Sequence, residues 1–160
     1  MRRLITIKAS VGKYAAAIYR NAQTILSYKL EGLDLKKGEY DFFYYISQNE
    51  GASQQELSDN LYIGKSTTAK AVKNLIKYGY ISREQDRNDR RCKRLFLTEK
   101  GKRIAPLIRA TFRELIDIYC QDISETEYEE TIKVLTRVLA NVYSEKDKLR
   151  GRNCVERTRS

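Results

Sequence analysis

Apolar residues recur every three or four positions along most of this chain, which is the spacing of amphipathic α-helices. The spacing predicts a long helix from Tyr14 to Leu33 and a second, aromatic-rich helix from about Lys36 to Gln48. Two shorter helices follow, from Gln54 to Leu61 and from Lys65 to Tyr78, with a tight turn that contains Gly64 between them. Two short helices joined in this way predict a helix-turn-helix.

The hydrophobic period changes after Gly79. Tyr80 to Gln85 and Lys93 to Leu97 have the composition of short strands, and the Asp- and Asn-containing segment between them favours a turn. These features predict a two-stranded hairpin, or wing. Thr98 then begins a long helix to about Ile123, and a capping-box pattern at Ser124 begins a last helix to about Lys146.

Basic residues concentrate in the second short helix and the hairpin. Between Lys65 and Arg103 there are thirteen basic residues and four acidic ones, so this segment carries nearly all of the net charge of +10. A local excess of this size favours a polyanionic partner. Lys70, Lys73 and Lys77 recur opposite the apolar positions of their helix, so one face can pack while the other offers cations to phosphates.

Short hydroxyl side chains stand near the start of the same helix. They can reach base edges when a helix N-terminus enters a major groove, or they can act as caps and bind only phosphates. Ser53 and Gln54, at the start of the preceding helix, are expected to contact the DNA backbone. The DNA contacts predicted on the second helix are Lys65, Ser66, Thr67, Thr68, Lys70 and Lys73.

The composition argues against catalysis and against a metal site. The chain has no histidine, which removes histidine-based catalysis and most zinc sites that use histidine ligands. Cys92, Cys120 and Cys154 are widely spaced and form no CxxC pair, as expected for reduced thiols. No segment approaches the apolar length of a membrane span. We therefore expect a cytoplasmic protein that is not an enzyme and holds no cofactor or metal.

Five runs in this chain resemble the MarR family in order and spacing. They are Ser53 to Leu57, Lys65 to Thr68, Leu75 to Ile81, Asp86 to Arg91, and Leu97 to Gly101. In that family they correspond to a helix-turn-helix, a Gly-Tyr-Ile strand entry, a D-x-x-D-R-R wing and an L-T-x-x-G helix start. The wing motif is the most specific part of the resemblance.

The resemblance covers about residues 14–146 and implies a dimer that places a helix in each major groove and a wing arginine in the flanking minor groove. Carried over to this chain, it makes Arg91, or alternatively Arg90, the inserted arginine, braced by Asp89 through an ion pair. A narrow minor groove concentrates negative potential and favours arginine. The wing residues expected to bind DNA are Arg87, Asp89, Arg90, Arg91 and Lys93.

The predicted fold is mainly α with a small β-wing, a winged helix-turn-helix with long N- and C-terminal dimerisation helices. It forms one domain over residues 1–146, with residues 36–98 as the DNA-binding lobe and residues 5–33 and 99–146 as the dimerisation helices. Residues 147–160 are predicted to form a basic, flexible tail. The terminal helices carry wide apolar stripes that a small winged-helix core cannot cover, which independently favours a homodimer.

The sequence thus predicts a sequence-specific regulator of transcription, a repressor that binds double-stranded DNA as a homodimer on a pseudo-palindromic operator. Its half-sites would lie about 10 base pairs apart. By the family resemblance, a small and often aromatic effector can release the DNA by entering a crevice between the dimer helices and the lobe. Aromatic residues at helical spacing more often form plain core, but those that could line this crevice are Tyr14, Tyr40, Tyr44, Phe112 and Tyr119.

Two other functions are compatible with parts of the pattern. A non-specific architectural or RNA-binding protein would keep the basic surface but show no preference for an operator. A winged-helix module that binds only proteins would need no cations on its second helix, and the clustering of lysine and arginine argues against it.

Overall fold

The computed structural model describes the backbone of residues 10–86 and 91–157, and the side chains of these residues up to residue 149. Within these ranges it has six α-helices and one two-stranded antiparallel sheet, which confirms the predicted fold class. In chain order the elements are α1 (Val11–Lys29), α2 (Tyr40–Gln48), α3 (Gln54–Asn60), α4 (Lys65–Lys77), β1 (Ile81–Gln85), β2 (Lys93–Leu97), α5 (Glu99–Cys120) and α6 (Glu125–Arg157).

The chain divides into two compact units, Met1–Leu115 and Ile116–Ser160. The first unit has a continuous hydrophobic core to which α1 to α5 and both strands contribute. Its largest fully buried side chains are those of Leu26, Leu30, Phe42, Phe43, Ile46, Leu57, Val72, Leu75, Tyr80, Ile81, Leu95 and Ile108. This core fixes α3, α4 and the two strands relative to one another.

Between α1 and α2, two helix ends differ from those predicted. α1 ends at Lys29 and not at Leu33, and α2 begins at Tyr40 and not at Lys36. The segment between the helices is a turn in which Gly38 adopts a φ of +86°, in the left-handed region that side chains other than glycine disfavour. Apolar spacing alone extends both helices into this segment, because its leucines are also apolar at helical intervals.

Polar contacts hold this turn against α1 and α4. The backbone N–H of Gly38 donates to Oε1 of Gln23 at 2.8 Å. The buried carboxylate of Glu39 accepts from the backbone N–H of Lys36 at 2.9 Å and from Nδ2 of Asn74 at 2.6 Å. The entry to α2 is therefore tied to the middle of α4 by hydrogen bonds as well as by core packing.

The hairpin is buried near α5 and becomes exposed towards its far end. Ile81 lies opposite Leu97, and Leu95 and Leu97 face the core while Lys93 is exposed. A β-bridge between Ser53 and Arg94 adds the segment before α3 to the outer edge of β2. The strand β2 thus connects the wing directly to the start of the helix-turn-helix.

The start of α5 lies so close to β1 that only glycine fits there. A Cβ atom added to Gly101 would lie 2.0 Å from the carbonyl oxygen of Tyr80. The hydroxyl of Thr98 accepts from the backbone N–H of Gly101 at 3.1 Å and donates to the carbonyl of Gly79 at 2.6 Å. This contact is the physical cause of the Leu-Thr-x-x-Gly pattern in the sequence.

The second unit contains the end of α5 and all of α6. The predicted capping box at Ser124 is confirmed, since its hydroxyl accepts from the N–H of Glu127 at 3.3 Å and the Glu127 carboxylate accepts from the N–H of Ser124 at 2.9 Å. α6 continues to Arg157, so the predicted helix end at Lys146 is wrong and residues 147–157 are helical. Polar composition does not end a helix when the residues are good helix formers such as Glu, Lys, Leu and Arg.

Apolar side chains on α6 are exposed to solvent. Among the described side chains of the second unit none is fully buried. Ile132, Val134, Leu135 and Val142 each keep at least 40% of their surface accessible. This unit therefore has no core of its own within the described residues.

Candidate nucleic-acid interface

The helix α4 has one buried face and one exposed face. Thr68, Ala71, Val72 and Leu75 are buried against the core at three- and four-residue spacing. We call the opposite side, with its hydroxyl groups and cations, the α4 surface. The α4 surface consists of the exposed residues Lys65, Ser66, Thr67, Lys70, Lys73 and Lys77.

The prediction that Thr68 contacts DNA is wrong for this structure. Thr68 is 0% exposed, and its hydroxyl donates to the carbonyl oxygen of Gly64 at 3.2 Å. Thr68 is in register with Val72 and Leu75 on the buried face, so it belongs to the packing side of the helix. The adjacent Ser66 and Thr67 are exposed and keep their predicted position at the start of α4.

Several cations on this side of the first unit have no carboxylate partner among the described residues. Lys93, on β2, is exposed like the lysines of the α4 surface. No ion pair within residues 10–86 and 91–149 involves Lys65, Lys70, Lys73, Lys77 or Lys93. Their full charge is therefore available to an external anion.

The far part of the wing is only partly described. Arg91 is exposed. Arg87, Asp89 and Arg90 lie outside the described residues. The insertion of Arg91 or Arg90 into a minor groove, and the bracing role of Asp89, stay predictions.

The start of α3 contributes Ser53 and Gln54, as predicted, and also an arginine that sequence reasoning did not single out. The hydroxyl of Ser53 caps α3 by accepting from the backbone N–H of Glu56 at 3.1 Å. Oε1 of Gln54 accepts a hydrogen bond from Nη2 of Arg83, an exposed residue of β1. An open groove of about 320 Å³ is lined by Gln54, Ala69, Lys73, Ile76 and Arg83.

No local pattern indicated Arg83. It stands two positions after the buried Ile81, so period-two alternation would place it on the core-facing side, whereas the structure exposes it. Only the structure shows that Arg83 lies beside Gln54 and Lys73.

A cluster of charges joins the wing to the helix-turn-helix, and we call it the wing base. Nε of Arg94 lies 2.6 Å from Oδ2 of Asp86, and its Nη1 lies 3.0 Å from Oε2 of Glu56. Nη1 also donates to the carbonyl oxygen of Gly51 at 3.3 Å. The wing base thus consists of Gly51, Glu56, Asp86 and Arg94.

The ionisation of the wing base follows from these bonds. The pKa of Glu56 is lowered, first by the hydrogen bond from the backbone N–H of Ser53 and to a smaller extent by the charge of Arg94. The pKa of Arg94 is raised, first by its hydrogen bond to Asp86. Glu56 and Arg94 are therefore charged at neutral pH, and the cation of Arg94 is matched within the protein.

Two cations at the start of α5 are also paired within the protein. Nζ of Lys100 donates to the carbonyl of Tyr78 at 2.8 Å, lies 3.4 Å from Oδ2 of Asp34, and stands 4.4 Å from the centre of the Tyr80 ring. Lys102 pairs with Glu99 at 3.0 Å. The basic excess of this segment is thus not uniformly available to a partner.

The aromatic residues predicted to line an effector crevice are only partly brought together. Tyr44 and Phe112 stack with ring centres 4.2 Å apart. Tyr40 is buried and its hydroxyl donates to the carbonyl of Leu35 at 3.3 Å, while Tyr14 is exposed on α1. Tyr119 lies in the second unit. A ligand between these residues stays a prediction.

The described residues contain no group of three or more His, Cys, Asp or Glu side chains placed to hold a metal ion. Cys92 and Cys120 form no disulfide within the described residues and are of intermediate exposure. None of the described helices combines the length and apolar character that crossing a membrane requires.

Comparison with known proteins points to one family. A sequence profile of the MarR family matches residues 35–93, the segment from the turn before α2 to the start of β2. The uncharacterized HTH-type transcriptional regulator YybA of Bacillus subtilis is 30% identical over 125 residues, which cover 78% of this chain and 83% of that protein.

Solved structures with the same architecture extend the match. A MarR protein from Peptoclostridium difficile superposes with a TM-score of 0.78 at 30% identity and covers 93% of this chain and 97% of its own. A MarR family transcriptional regulator from Listeria monocytogenes, complexed with a 26mer DNA, has a TM-score of 0.77 at 29% identity and covers 85% of this chain and 91% of its own.

Proposed function

The chain belongs to the MarR family of DNA-binding transcriptional regulators, and from this premise we propose that it is a repressor that binds a pseudo-palindromic operator as a homodimer. Its relatives and its fold are those of regulators and not of enzymes. The observation that carries the proposal is the α4 surface, where exposed hydroxyl groups and unneutralised lysines lie opposite a fully packed face.

The α4 surface supports direct reading of a major groove. Ser66 and Thr67 lie in the first turn, which is the part of a recognition helix that meets base edges. Their hydroxyl groups can donate to or accept from bases. Lys70 and Lys73, one and two turns farther along, then contact phosphates, as does Lys65 at the helix start.

The wing supplies the flanking contacts in this proposal. Arg91, or alternatively Arg90, enters the minor groove, whose negative potential favours arginine. Asp89 braces that arginine, and Arg87 and Lys93 contact the DNA backbone.

The start of α3 supplies a further contact to the DNA backbone. Arg83, held by Gln54, stands with Lys73 at the edge of one groove, so two cations converge there. Together with Ser53, these side chains would fix the position of the protein on the duplex without reading its sequence.

Exposed apolar surface supports the homodimer. In the first unit, Tyr14 and Ile18 on α1 are 56% and 54% exposed. In the second unit, α6 exposes Ile132, Leu135 and Val142. Exposed apolar patches of this kind mark sites of protein association, because leaving them in water is unfavourable.

Selection from genomic DNA fragments tests the proposed function. The purified chain is mixed with fragments at about 150 mM salt in the presence of excess unrelated duplex, because non-specific binding weakens steeply with salt. We expect enrichment of a site with two related half-sites about 10 base pairs apart. Recovery of unenriched sequence would leave only a general nucleic-acid binder.

Sedimentation analysis of a surface variant tests the dimer. In Ile132→Glu/Leu135→Glu, two charges replace exposed apolar side chains on α6, and we expect a monomer that has lost operator binding. Lys133→Glu, an exposed substitution on the same helix, is the control and should remain a dimer. A wild-type chain that sediments as a monomer at micromolar concentration would refute the dimer.

A further inference from the structure

Arg94 has a role that differs from that of its basic neighbours. Its guanidinium uses two edges at once, with Nε on the carboxylate of Asp86 and Nη1 on that of Glu56. A planar fork of donors suits this bridging, and a lysine ammonium does not reproduce it. The Asp86 side chain keeps only 14% of its surface accessible, so this contact is screened less by salt than a fully exposed pair.

The partners of Arg94 lie on three different parts of the first unit. Asp86 directly follows β1, Glu56 belongs to the capping box of α3, and Gly51 belongs to the segment before α3. Asp86 and Arg94 stand on the two arms of the hairpin, on either side of the residues predicted to enter the minor groove. Fixing both arms therefore fixes the two points between which the DNA-binding part of the wing is held.

We propose that Arg94 is a positioning residue of the DNA interface, which fixes the wing against the helix-turn-helix through Asp86 and Glu56 and does not itself contact DNA. The inference rests on the proposed function, since it concerns how the wing is held for binding. The alternative explanation, based on positive charge alone, is that Arg94 is one more phosphate contact.

The two explanations predict opposite effects when the Asp86 carboxylate is removed. If Arg94 is a phosphate contact that Asp86 restrains, Asp86→Asn frees the cation and makes the protein more positive, so binding becomes tighter. If Arg94 is a positioning residue, Asp86→Asn releases the wing and binding becomes weaker in spite of the added positive charge.

The experiment compares Asp86→Asn with Glu84→Gln in binding to the selected operator. Glu84 is an exposed carboxylate two positions earlier on β1, so the two variants make the same change of charge in nearly the same place. We expect Glu84→Gln to tighten binding slightly, and Asp86→Asn to weaken it on the order of 100-fold, the cost of one lost groove contact in each of the two subunits. Equal tightening by both variants would overturn the proposal.

A double-mutant cycle separates positioning from a loss of stability. If Arg94 acts through the wing, Arg91→Gln should weaken binding much less in the Arg94→Gln protein than in the wild type, because the wing contact is already lost. Additive effects would overturn the proposal. Arg94→Lys provides a milder change if either variant fails to fold: it keeps the positive charge, so a phosphate contact would survive and binding would be unchanged, whereas a positioning role predicts weaker binding. Lys93→Gln, which removes one phosphate contact from each subunit, should lower the salt slope by about 1.8.

The proposed function and this inference fail in different ways. A wild-type protein that does not distinguish its selected operator from scrambled duplex refutes the proposed function before any variant is compared. A wild-type protein that does distinguish them, with Asp86→Asn binding as tightly as Glu84→Gln, refutes only the role of Arg94.

Discussion

Two groups of cations lie close together in this sequence, but the structure uses them differently. The lysines of the α4 surface make no ion pair within the described residues, while Arg94, Lys100 and Lys102 are each paired with a carboxylate of the chain. The first group is therefore available to DNA, and the cations of the second are already matched by carboxylates around the wing and the start of α5. A net charge shows that a segment is basic, but not which of its cations can bind a partner.

The largest effect is expected next to Lys100 and Lys102 of the second group, at the tightly packed Gly101. Gly101→Ala places a Cβ atom 2.0 Å from the Tyr80 carbonyl oxygen, so α5 and β1 must move apart. We expect the free energy of unfolding to fall by about 3 kcal/mol, measured by urea denaturation. An unchanged midpoint of unfolding would mean that the start of α5 is not fixed against β1.

The next largest effect is expected on the α4 surface and should leave stability unchanged. Lys70→Gln/Lys73→Gln removes two phosphate contacts from each subunit and so four from the dimer, so the slope of log affinity against log salt should fall by about 3.6 and the affinity by at least roughly 100-fold at low salt. Fluorescence anisotropy with labelled operator measures both. A variant with the wild-type slope would show that these lysines do not contact phosphates.

A smaller effect is expected at Lys100, and Lys102 is its matched control. Lys100→Gln loses the contacts with Asp34, Tyr78 and the Tyr80 ring, and should cost about 1 kcal/mol of stability without changing the salt slope. Lys102→Gln loses only an exposed pair with Glu99 and should change neither. A lower salt slope in either variant would place that lysine in the DNA interface.

The smallest effect is a pH dependence at Glu56. Its pKa lies below the ordinary value of 4.5, so the folded protein favours the ionised form more than the unfolded chain does. That contribution is present above the ordinary pKa and is lost as the pH falls through the lowered one. Glu56→Gln should therefore be less stable than wild type at pH 7 by under about 1 kcal/mol, because water screens an exposed carboxylate.

Urea denaturation at several pH values measures this effect. The difference in stability between Glu56→Gln and wild type should shrink as the pH falls from about 5 to about 3. A difference that is the same at both ends would assign the cost to lost packing and not to the charge of Glu56.

The elements of the first unit were largely predictable from the sequence because their signals are local. The capping box at Ser53 and the bounds of β2 were predicted correctly from local sequence signals. The start of α2 was not, since hydrogen bonds from Glu39 and Gln23 to distant residues decide that turn. The buried position of Thr68, by contrast, could have been predicted, since it lies four positions before Val72 and seven before Leu75.

The sequence was enough to predict that the candidate site is basic, but not which of its cations are paired within the protein. Lysine spacing on α4 correctly indicated an exposed basic face. Arg94 lies thirty-eight residues from Glu56 in the sequence, so no local pattern indicates that they pair. Arg83 was likewise counted as a cation, but its place beside Gln54 and Lys73 depends on how β1 packs.

The central claim is that the α4 surface reads a base sequence and does not only attract phosphates. The measurement is the affinity of the wild-type protein for its selected operator and for the same duplex with one half-site scrambled, at about 150 mM salt. A specific dimer should prefer the intact operator by a factor on the order of 10³ or more. Equal affinity for the two duplexes would contradict the account.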